Sequence, residues 1–544
     1  MAETDNRKTD LKSGYSYETK TFHSLRPPVP LPPLILPLSA SSHAASLLRL
    51  RPPPLLSAAF IDSSTGLRLS FPDFLFQSQT LASSLRSDLG LSKGDVALIL
   101  AAAPSRLEIP VLRFALLSIG VVAAPVAPIC TDSEIARVVR LGNPKIAFAT
   151  SATAYKLPGT LITSAVLVDS DRFRTLISTR GGSSTVESET TTTTTRQSDP
   201  AVILFSSGTT GRSKPTVIPH RSYIAMNEGF FCLRQSPSPE VVLLLAPMFH
   251  TFGFIFCLKQ VALGETTVLM ERFSPRAVAA AVEEHRVTTI VAAPPVVVAL
   301  ARAEEGIVGG LDTLQRMIIG GAPLGRDSAE QFNRRFPHVR IELAYGSTEA
   351  GGISRMIGDV ECENFESVGR LSENIEAKIV DPVTGDALGV GQPGELWVRG
   401  PAVMTGYIGD AEANASTFSS DGWLKTGDLC RFDQHGFLYV VDRIKELIKY
   451  KAYQVPPVEL EHLLRSIPDI IDAAVIPCPS EEVGQIPMAC VVRMPGSSID
   501  EARVAPYKKI RRVVFVELIP KSASGKILRR ELLIHALPGS ASRL

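Results

Sequence analysis

Residues 201–219 read AVILFSSGTTGRSKPTVIP and decide the fold prediction. An apolar run ends in a turn of hydroxyl side chains and glycines, whose backbone can approach a polyanion closely. The turn offers hydroxyl and N–H donors to phosphate oxygens, and Lys214 adds a positive charge. It is not a Walker A loop, because Lys214 does not directly follow Gly211. We predict a buried strand, a phosphate-binding loop and a second extended segment, although a solvated polar turn also fits the composition of the turn alone.

Apolar, β-branched runs alternate with helical patterns on both sides of this loop. The strand-like runs are residues 96–100, 240–247 and 288–295, and the helix-like runs are residues 110–120 and 274–286. Such alternation over several hundred residues predicts an α/β architecture with parallel sheets. After about residue 442 the chain becomes rich in lysine, and the remaining segment of about 100 residues has the usual size of a small domain.

The composition argues against several classes of protein. The chain has 544 residues, which predicts several domains, and its net charge of +1 gives no electrostatic footprint for nucleic acid. The seven cysteines are widely spaced without a C-x-x-C pair, so we expect free thiols rather than disulfides or a zinc site. The charged N-terminus argues against a secretory signal. The uncharged stretch of residues 114–130 contains two prolines and is too short for a comfortable transmembrane segment.

Two stretches have compositions that oppose regular structure. Residues 26–56 are rich in Pro, Leu and Ser, so we expect an extended surface segment within a Pro-rich N-terminal region, residues 1–59. Residues 181–200 are polar and of low complexity, which predicts a mobile loop directly before the phosphate-binding motif.

Four further motifs carry side chains suited to a nucleotide. They are YGSTEA at 345–350, DGWLKTGD at 421–428, VDRIKELIKYK at 441–451 and PKSASGK at 520–526. Glu349 follows an apolar run and can hold Mg²⁺ on a phosphate. Asp428 can accept hydrogen bonds from two ribose hydroxyls, as carboxylates do in other nucleotide folds, and Lys526 can reach an acyl phosphate. Taken singly, each motif also fits a turn or a solvated basic face.

Together and in this order, the five motifs resemble the adenylate-forming superfamily, and within it the plant 4-coumarate–CoA ligase-like group, over about residues 60–535. The resemblance implies an ATP-dependent acid–thiol ligase that forms an acyl-adenylate and then transfers the acyl group to coenzyme A. The expected AMP-binding domain, residues 60–441, has parallel-sheet α/β subdomains and a β-barrel-like subdomain. A hinge near Asp442 then leads to a small α+β lid, residues 442–544, which swings between the two half-reactions.

The resemblance also implies roles for individual residues. Lys526 is expected on the reacting carboxylate and the α-phosphate, where its charge stabilises the transition state, and His250 is expected to gate or orient the carboxylate. The expected ATP/AMP contacts are Ser206, Ser207, Gly208, Thr209, Thr210, Lys214, Thr348, Asp428, Arg443, Lys449 and Gln454, with Glu349 as the Mg²⁺ ligand. The expected coenzyme A contacts are Arg272, Lys451 and Ala452.

The predicted acid pocket departs from that of true 4-coumarate–CoA ligases. Its expected residues are Phe252, Phe256, Gly321, Leu343, Ala344, Met356 and Lys445. Phe252 stands where the true ligases usually carry Tyr, and Leu343 with Ala344 replaces a Gln-Gly pair, so polar partners for a phenol are missing. Because unpaired polar groups discriminate more strongly than methylenes do, a fatty or oxylipin-type acid is a hypothesis of the same weight as a hydroxycinnamate.

Other departures leave alternative functions open. Pro215 and Ala452 each replace a glycine of the family pattern, and the segment from Met494 to Pro506 is short, which would weaken the packing of the lid. A luciferase-like or adenylate-only enzyme shares every motif. A degenerate protein that binds an acyl group or a nucleotide without catalysis would fit a weakened lid.

The last three residues, Ser542, Arg543 and Leu544, resemble the S-K-L peroxisomal address. We therefore expect a peroxisomal protein that meets an import receptor, with the cytoplasm as the alternative. A chance match of three loosely specified positions is the competing explanation. The other expected partners are small molecules, namely a carboxylic acid, ATP and coenzyme A.

Overall fold

The computed structural model describes most of the chain. The described residues are 9–101, 106–178, 195–206, 214–234, 236, 238–304, 306, 309, 311–450, 453–480, 484–501, 510–522 and 525–536. Two predicted segments therefore lie wholly or largely outside the described residues, namely the polar loop before residue 195 and the phosphate-binding turn after Ser206. The C-terminal tripeptide also lies outside them.

A seven-stranded sheet, here called the first sheet, contains the strand that precedes the phosphate-binding motif. Its strands in spatial order are Gly406–Tyr407, Lys214–Pro219, Pro200–Ser206, Val122–Pro125, Val96–Leu100, Ile146–Ala149 and Val166–Leu167. Pro200–Ser206 and the strands beyond it run parallel, whereas Lys214–Pro219 turns back antiparallel onto Pro200–Ser206. The predicted strand before the loop and the extended segment after it are confirmed.

A nine-stranded second sheet follows the same architecture. Its strands in spatial order are Arg370–Leu371, Gly351–Arg355, Arg340–Ser347, Arg316–Ile319, Thr289–Ala292, Val241–Leu244, Thr266–Leu269, Ala58–Asp62 and Arg68–Ser70. The strands from Arg340–Ser347 to Ala58–Asp62 are parallel. Parallel strands linked by helices confirm the α/β prediction.

Helices connect the strands of both sheets. They are Phe71–Ser87, Glu108–Ser118, Asp132–Gly142, Gly159–Ile162, Asp171–Ser178, His220–Cys232, Thr251–Leu263, Pro275–His285, Pro294–Arg302, Arg326–Arg335, Gly358–Cys362 and Ala411–Thr417, with a 3₁₀ turn at Ala154–Lys156. The predicted helices at 110–120 and 274–286 are among them. In Pro275–His285, the hydroxyl of Ser274 caps the helix by accepting the Ala277 N–H at 3.1 Å, and Arg286 ends it in the left-handed region at φ 52°.

The third sheet of the protein is antiparallel. Its strands in spatial order are Tyr15–Ser16, Thr21–His23, Glu376–Val380, Gly394–Arg399, Leu424–Phe432 and Leu438–Arg443, with Ala387–Leu388 beside Glu376–Val380. The strands that carry Phe22 and Phe432 have two other strands between them, which would separate the two side chains by about 14 Å in a flat sheet. Their ring centroids are 4.3 Å apart, so the sheet is strongly curled, in keeping with the barrel-like prediction.

The C-terminal part of the chain forms a small α+β body, as predicted. Its strands in spatial order are Tyr453–Val455, Ile448–Tyr450, Gly484–Arg493 and Ile470–Ser480, with Arg512–Phe515 also beside Gly484–Arg493, and its helices include Pro457–Arg465 and Arg529–Ala536. Alternate residues of the central strands, such as Ala473 and Val475, are fully buried against Leu460 and Leu464 of the first helix. This core gives the small body its own hydrophobic centre.

The short segment that begins at Met494 lies within a crossover of this small body. Gly484–Arg493 and Arg512–Phe515 pair in parallel, with Met488 opposite Arg512. A parallel crossover needs about a dozen residues or more, and residues 494–511 exceed that minimum. The shortened connection, of which residues 502–509 lie outside the described part, therefore still lets Arg512–Phe515 join the sheet.

The N-terminal segment is folded more fully than its composition predicts. Ala40–Leu50 is a helix, capped by the Ser39 hydroxyl, which accepts the Ser42 N–H at 3.1 Å. Its buried face packs against Thr251–Leu263. The prediction of an extended surface segment across 26–56 is thus wrong for this stretch. The prolines flank the helix at both ends rather than interrupting it, and alanines and leucines between them supply the apolar face.

Two predictions from composition agree with the structure. All seven cysteines are free thiols. Within the described residues, no helix combines the length and the hydrophobicity that crossing a bilayer requires. The uncharged stretch 114–130 instead contains the end of the buried helix Glu108–Ser118 and the buried strand Val122–Pro125.

Candidate active site

One cavity collects predicted residues from distant parts of the sequence. It has a volume of about 570 Å³, within the range of small-molecule sites. Its lining includes thirteen of the predicted residues, namely Lys214, His250, Phe252, Phe256, Gly321, Leu343, Ala344, Thr348, Glu349, Met356, Arg443, Lys445 and Lys526. The cavity lies where the first sheet, the second sheet, the antiparallel sheet and the small C-terminal body meet.

Tyr345 and Asp428 join the second sheet to the antiparallel sheet beside the cavity. The Tyr345 hydroxyl donates to Asp428 Oδ2 at 2.6 Å. On the neighbouring strand, Arg443 lies opposite Asp428 and brings its Nε to within 3.3 Å of Oδ1. Each carboxylate oxygen therefore already has a partner, and the group is held in one orientation. Asp428 does not itself line the cavity but lies directly behind two residues that do, Tyr345 and Arg443.

Burial and neighbouring charges shift the pKa values of Asp428 and Lys526. Burial raises the pKa of Asp428, although the positive charges of Arg443 and Lys526 and the Tyr345 hydrogen bond oppose the shift. Burial also lowers the pKa of Lys526, and the nearby Arg443 adds to that effect. The two pKa values are thus moved towards each other by a shared low-dielectric environment.

Glu349 lies between the second sheet and the first sheet. It follows the strand Arg340–Ser347, and its Oε1 accepts the Tyr407 hydroxyl at 3.0 Å. Tyr407 belongs to the edge strand of the first sheet, and Lys214 Nζ lies 4.9 Å from the centre of its ring. The Glu349 backbone carbonyl also accepts the Met404 N–H. Glu349 is thereby fixed beside the cavity with carboxylate oxygens suited to a hard cation, although no cluster of three such ligands occurs among the described residues.

Lys526 projects from a tight turn of the small C-terminal body. The Ser522 N–H donates to the Lys526 carbonyl and the Gly525 N–H to the Ser522 carbonyl, both at 2.8 Å. Gly525 has φ +80°, and a Cβ added there would lie 3.0 Å from Pro295 in the helix Pro294–Arg302. Only glycine fits this backbone and this approach without strain. The close contact lets the turn lie against the helix Pro294–Arg302 and places the Lys526 side chain in the cavity.

Family comparisons agree with this arrangement. A model described as "AMP-binding enzyme" matches residues 54–408. A model described as "AMP-binding enzyme C-terminal domain" matches residues 459–526. The chain belongs to the AMP-binding enzyme family. The first range contains every strand of the first and second sheets, and the second range lies within the small body that carries Lys526.

Individual relatives place this AMP-binding enzyme in the plant 4-coumarate–CoA ligase-like group. It is 48% identical to 4-coumarate–CoA ligase-like 9 of Arabidopsis thaliana, over 99% of each chain. It is 39% identical to peroxisomal OPC-8:0-CoA ligase 1 of the same plant, over 97% of this chain and 98% of the relative. ATP-bound MatB from Rhodopseudomonas palustris shares the fold, with a TM-score of 0.81, 24% identity and coverage of 92% and 99%. The chain is therefore an adenylate-forming acid–thiol ligase, and specifically a carboxylate–CoA ligase.

The predicted acid pocket of this AMP-binding enzyme lies along one face of the helix Thr251–Leu263. Phe252, Ile255, Phe256, Lys259 and Leu263 line the cavity, with the three- and four-residue spacing of one helical face. The rings of Phe252 and Phe256 pack edge to face at 5.1 Å. Gly321 has φ +86°, and Leu343 and Met356 are buried and also line the cavity. The predicted acyl residues are thus brought together.

His250 precedes this helix at its N-cap position. Burial lowers the pKa of the imidazole, so the neutral ring is favoured at physiological pH. Gly253 explains why the helix can begin here, because a Cβ would lie 2.4 Å from the Pro247 carbonyl oxygen. A neutral imidazole can orient a carboxylate through one N–H without adding a full charge.

Several predicted residues are not placed at the cavity. Ser207, Gly208, Thr209, Thr210, Lys451 and Ala452 lie outside the described residues. For Ser206, Lys449 and Gln454 the backbone alone is described, with Lys449 opposite Gln454 in a short hairpin. Arg272 is exposed between the strand Thr266–Leu269 and the helix Pro275–His285, and it is not among the lining residues.

Charged residues at the far end of the pocket were not predicted from the sequence. Lys259 Nζ forms an ion pair with Glu265 at 2.9 Å, and both side chains are almost fully buried. Arg316 forms ion pairs with Glu240 at 2.6 Å and with Glu342 at 3.3 Å. A lysine inside the apolar helix TFGFIFCLKQVAL was the available signal, since lysines are seldom buried unless paired.

Proposed function

We propose that this carboxylate–CoA ligase activates an acid with a long apolar body, of the fatty or oxylipin type, rather than a short hydroxycinnamate. The single observation that carries this choice is the length of the pocket. The lining stripe from Phe252 to Leu263 rises about 16 Å at 1.5 Å per residue. Phe252, Ile255 and Phe256 offer apolar surface over the first half of that length, which suits an acyl chain.

In the proposed first half-reaction, a carboxylate oxygen of the acid attacks the α-phosphorus of ATP and pyrophosphate leaves. Lys526 stabilises the charge that develops on the reacting groups. The Ser206–Thr210 loop and Lys214 bind the phosphates, assisted by Thr348. Asp428 and Arg443 hold the ribose, and Lys449 and Gln454 complete the nucleotide side.

Mg²⁺ is proposed to bind through Glu349. Its carboxylate lines the cavity and is oriented by the Tyr407 hydroxyl. Bound there with nucleotide phosphates, Mg²⁺ would neutralise part of their negative charge. Tyr407 is the residue that keeps this carboxylate turned towards the cavity.

In the proposed second half-reaction, the thiol sulfur of coenzyme A attacks the acyl carbonyl and AMP leaves. Arg272, Lys451 and Ala452 are the proposed coenzyme A contacts. Arg272 is exposed and outside the cavity lining, which is compatible with a contact made when the C-terminal body has rotated about the hinge. Asp442, the proposed hinge residue, accepts the Val458 N–H at 3.1 Å and thus ties the hinge to the first helix of the lid.

ATP–pyrophosphate exchange with a panel of acids tests the proposal. We expect exchange with medium- and long-chain acids to exceed exchange with 4-coumarate, and we expect acyl-CoA to accumulate only when coenzyme A is present. Robust turnover of 4-coumarate alone would refute the apolar choice. Adenylate release without any thioester would instead favour the adenylate-only alternative, and no exchange with any acid would favour the degenerate binding protein.

We further propose a peroxisomal location. The support is the C-terminal Ser542-Arg543-Leu544 and the name of the relative described as a peroxisomal ligase. A fluorescent protein fused to the N-terminus is expected to enter peroxisomes. The same fusion with Leu544→Ser should remain in the cytoplasm, and equal import of both would contradict the proposal.

A further inference from the structure

Two tight turns flank the helix Ala40–Leu50, one at each end, and both present aliphatic side chains to solvent. In the turn at residues 33–36, the last N–H donates to the first carbonyl at 3.0 Å, and in the turn at residues 54–57 the same bond measures 2.9 Å. The two central residues of such a turn lie at its tip. The four residues at these positions, here called the apolar tips, are Leu34, Ile35, Leu55 and Leu56.

The apolar tips are exposed to an unusual degree. The side chains of Leu34 and Ile35 are 63% and 92% exposed, and those of Leu55 and Leu56 are 82% and 95% exposed. Leu50, the last residue of the helix between the two turns, is 71% exposed. A single exposed leucine is ordinary on a protein surface, but five large aliphatic side chains exposed along one short segment mark a surface that contacts something.

The turns are held from behind by contacts that do not involve the apolar tips. The amide of the buried Gln197 donates to the Pro33 carbonyl at 2.7 Å and to the Leu36 carbonyl at 3.1 Å. Pro53, just before the second turn, packs so closely on Gly264 that a Cβ added there would lie 3.2 Å away. A strand of the second sheet follows directly after the second turn. Both turns are therefore fixed with their apolar side chains pointing outwards.

The surroundings of the apolar tips are basic. No aspartate or glutamate occurs in the sequence between Glu18 and Asp62. Arg49 and Arg51 stand on either side of Leu50, and both are exposed. Aliphatic side chains beside arginines suit an anionic lipid surface, because the former enter the boundary between headgroups and acyl chains while the latter are attracted to the lipid phosphates.

The shape of this surface favours a bilayer over a protein partner. The apolar tips project near the two ends of an 11-residue helix, which is about 16 Å long. Turn tips are convex and cover little area, whereas a stable protein interface buries about 800 Å² of complementary surface on each partner. A bilayer needs no such complementarity, because lipids rearrange around the side chains that enter it.

We propose that the apolar tips, together with Leu50, Arg49 and Arg51, bind this enzyme to a lipid bilayer that carries anionic headgroups. The aliphatic side chains enter the boundary between headgroups and acyl chains, and the two guanidinium groups contact lipid phosphates. The contact is peripheral and reversible, since these side chains bury far less apolar surface than a membrane-spanning helix does. Binding of this kind is separate from catalysis and goes beyond the proposed function.

Flotation of the full-length protein with lipid vesicles tests the proposal. The wild type should float with vesicles of phosphatidylcholine mixed with phosphatidylserine, and added salt should weaken this binding. Combining Leu34→Ser, Ile35→Ser, Leu55→Ser and Leu56→Ser should lower the partition coefficient about 10- to 100-fold, because full burial of one leucine alone contributes a factor of about 10. Arg49→Gln with Arg51→Gln should lower it about 5-fold per arginine on the mixed vesicles and change it little on phosphatidylcholine alone.

A matched control is Val360→Ser with Val383→Ser. These side chains are 80% and 85% exposed in other parts of the chain, so this variant should float like the wild type. All variants should keep the thermal unfolding midpoint of the wild type, since every changed side chain faces solvent.

Three results would overturn the proposal. The first is a wild type that does not float with the mixed vesicles, and the second is a four-serine variant that floats as well as the wild type. The third is a wild-type dimer, measured by light scattering without vesicles, that the four-serine variant converts to a monomer, because a second copy of the chain would then cover the apolar tips. Absence of ATP–pyrophosphate exchange with every acid would refute the proposed function and leave the vesicle result unaffected.

Discussion

The two ends of the cavity are built in different ways. The proposed nucleotide end takes Lys214, Glu349, Arg443 and Lys526 from the three sheets and the small C-terminal body, and its groups come from turns and strand ends. The acyl end is built largely along one helix, Thr251–Leu263, with buried ion pairs behind it. The nucleotide end therefore depends on how the bodies are assembled, whereas the acyl end depends on how one helix is packed. Substitutions at one end of the cavity should therefore have effects that differ from those of substitutions at the other end.

The largest effect is expected from Lys526→Ala. Removing the ammonium that the C-terminal turn brings near Asp428 should reduce adenylation about 10²- to 10³-fold, the range seen when one transition-state donor is lost. ATP–pyrophosphate exchange measures this step. Conversion of a preformed acyl-adenylate to the thioester should change much less.

Lys521→Ala is the matched control. Lys521 lies on the same segment but pairs with Asp472 inside the small body at 2.5 Å. It should keep adenylation close to the wild-type rate. Equal losses in the two variants would mean that the nucleotide end responds to general disturbance of the lid rather than to the Lys526 charge.

A smaller effect is expected at the acyl end from Phe252→Tyr. The new hydroxyl would face the cavity beside Gly320, where a long apolar acid offers it no hydrogen-bond partner. The kcat/KM for long apolar acids should fall about 10-fold relative to that for 4-coumarate, while the KM for ATP stays unchanged. A parallel change in the KM for ATP would contradict the separation of the two ends.

A further effect of about 1 kcal/mol in the free energy of unfolding is expected from Ser39→Ala, which removes an N-cap. The helix Ala40–Leu50 packs on the back of the pocket helix, so the KM for the acid should rise while that for ATP does not. Ser70→Ala removes the cap of Phe71–Ser87 and should cost similar stability without changing the KM for the acid. Thermal unfolding and acid titrations check both variants.

The smallest change concerns pH rather than rate. Burial lowers the pKa of Lys526, and the protonated ammonium is the active form. Adenylation should therefore decline on the alkaline side at a lower pH than an ordinary lysine would allow. In Lys526→Arg the guanidinium stays protonated, so the alkaline limb should move to higher pH. If the alkaline limb of the pH profile stays in place in Lys526→Arg, a group other than Lys526 causes it.

All seven residues predicted for the acid pocket line the cavity, whereas most of the predicted phosphate-binding turn lies outside the described residues. Glycines and hydroxyls at strand ends mark a phosphate site locally, and the order of five motifs carried the rest. The contact of Tyr407 with Glu349 was not predicted, because it depends on an edge strand from a distant segment joining the first sheet. The pairing of Lys259 with Glu265 was also missed, since hydrophobic spacing alone treats a lysine in a helix as exposed.

The N-terminal segment was misjudged for a related reason. Prolines dominate residues 26–56 and oppose helix locally, yet the stretch between them buries Ala40, Ala44, Leu47 and Leu48. Tertiary packing against the pocket helix provides stabilisation that composition does not reveal. The parallel pairing that the short crossover after Met494 serves is preserved, and a weakened packing of the lid stays a prediction.

The packing of Ala40–Leu50 against the pocket helix matters for anyone preparing this enzyme. A shortened protein starting at residue 54, where the conserved family match begins, would contain every nucleotide-binding motif. It would also lack the helix behind the acid pocket and the hairpin Tyr15–His23 on the curled sheet. Such a truncation would bind nucleotide yet misreport which acids the intact enzyme accepts, so substrate profiling calls for the full N-terminal sequence.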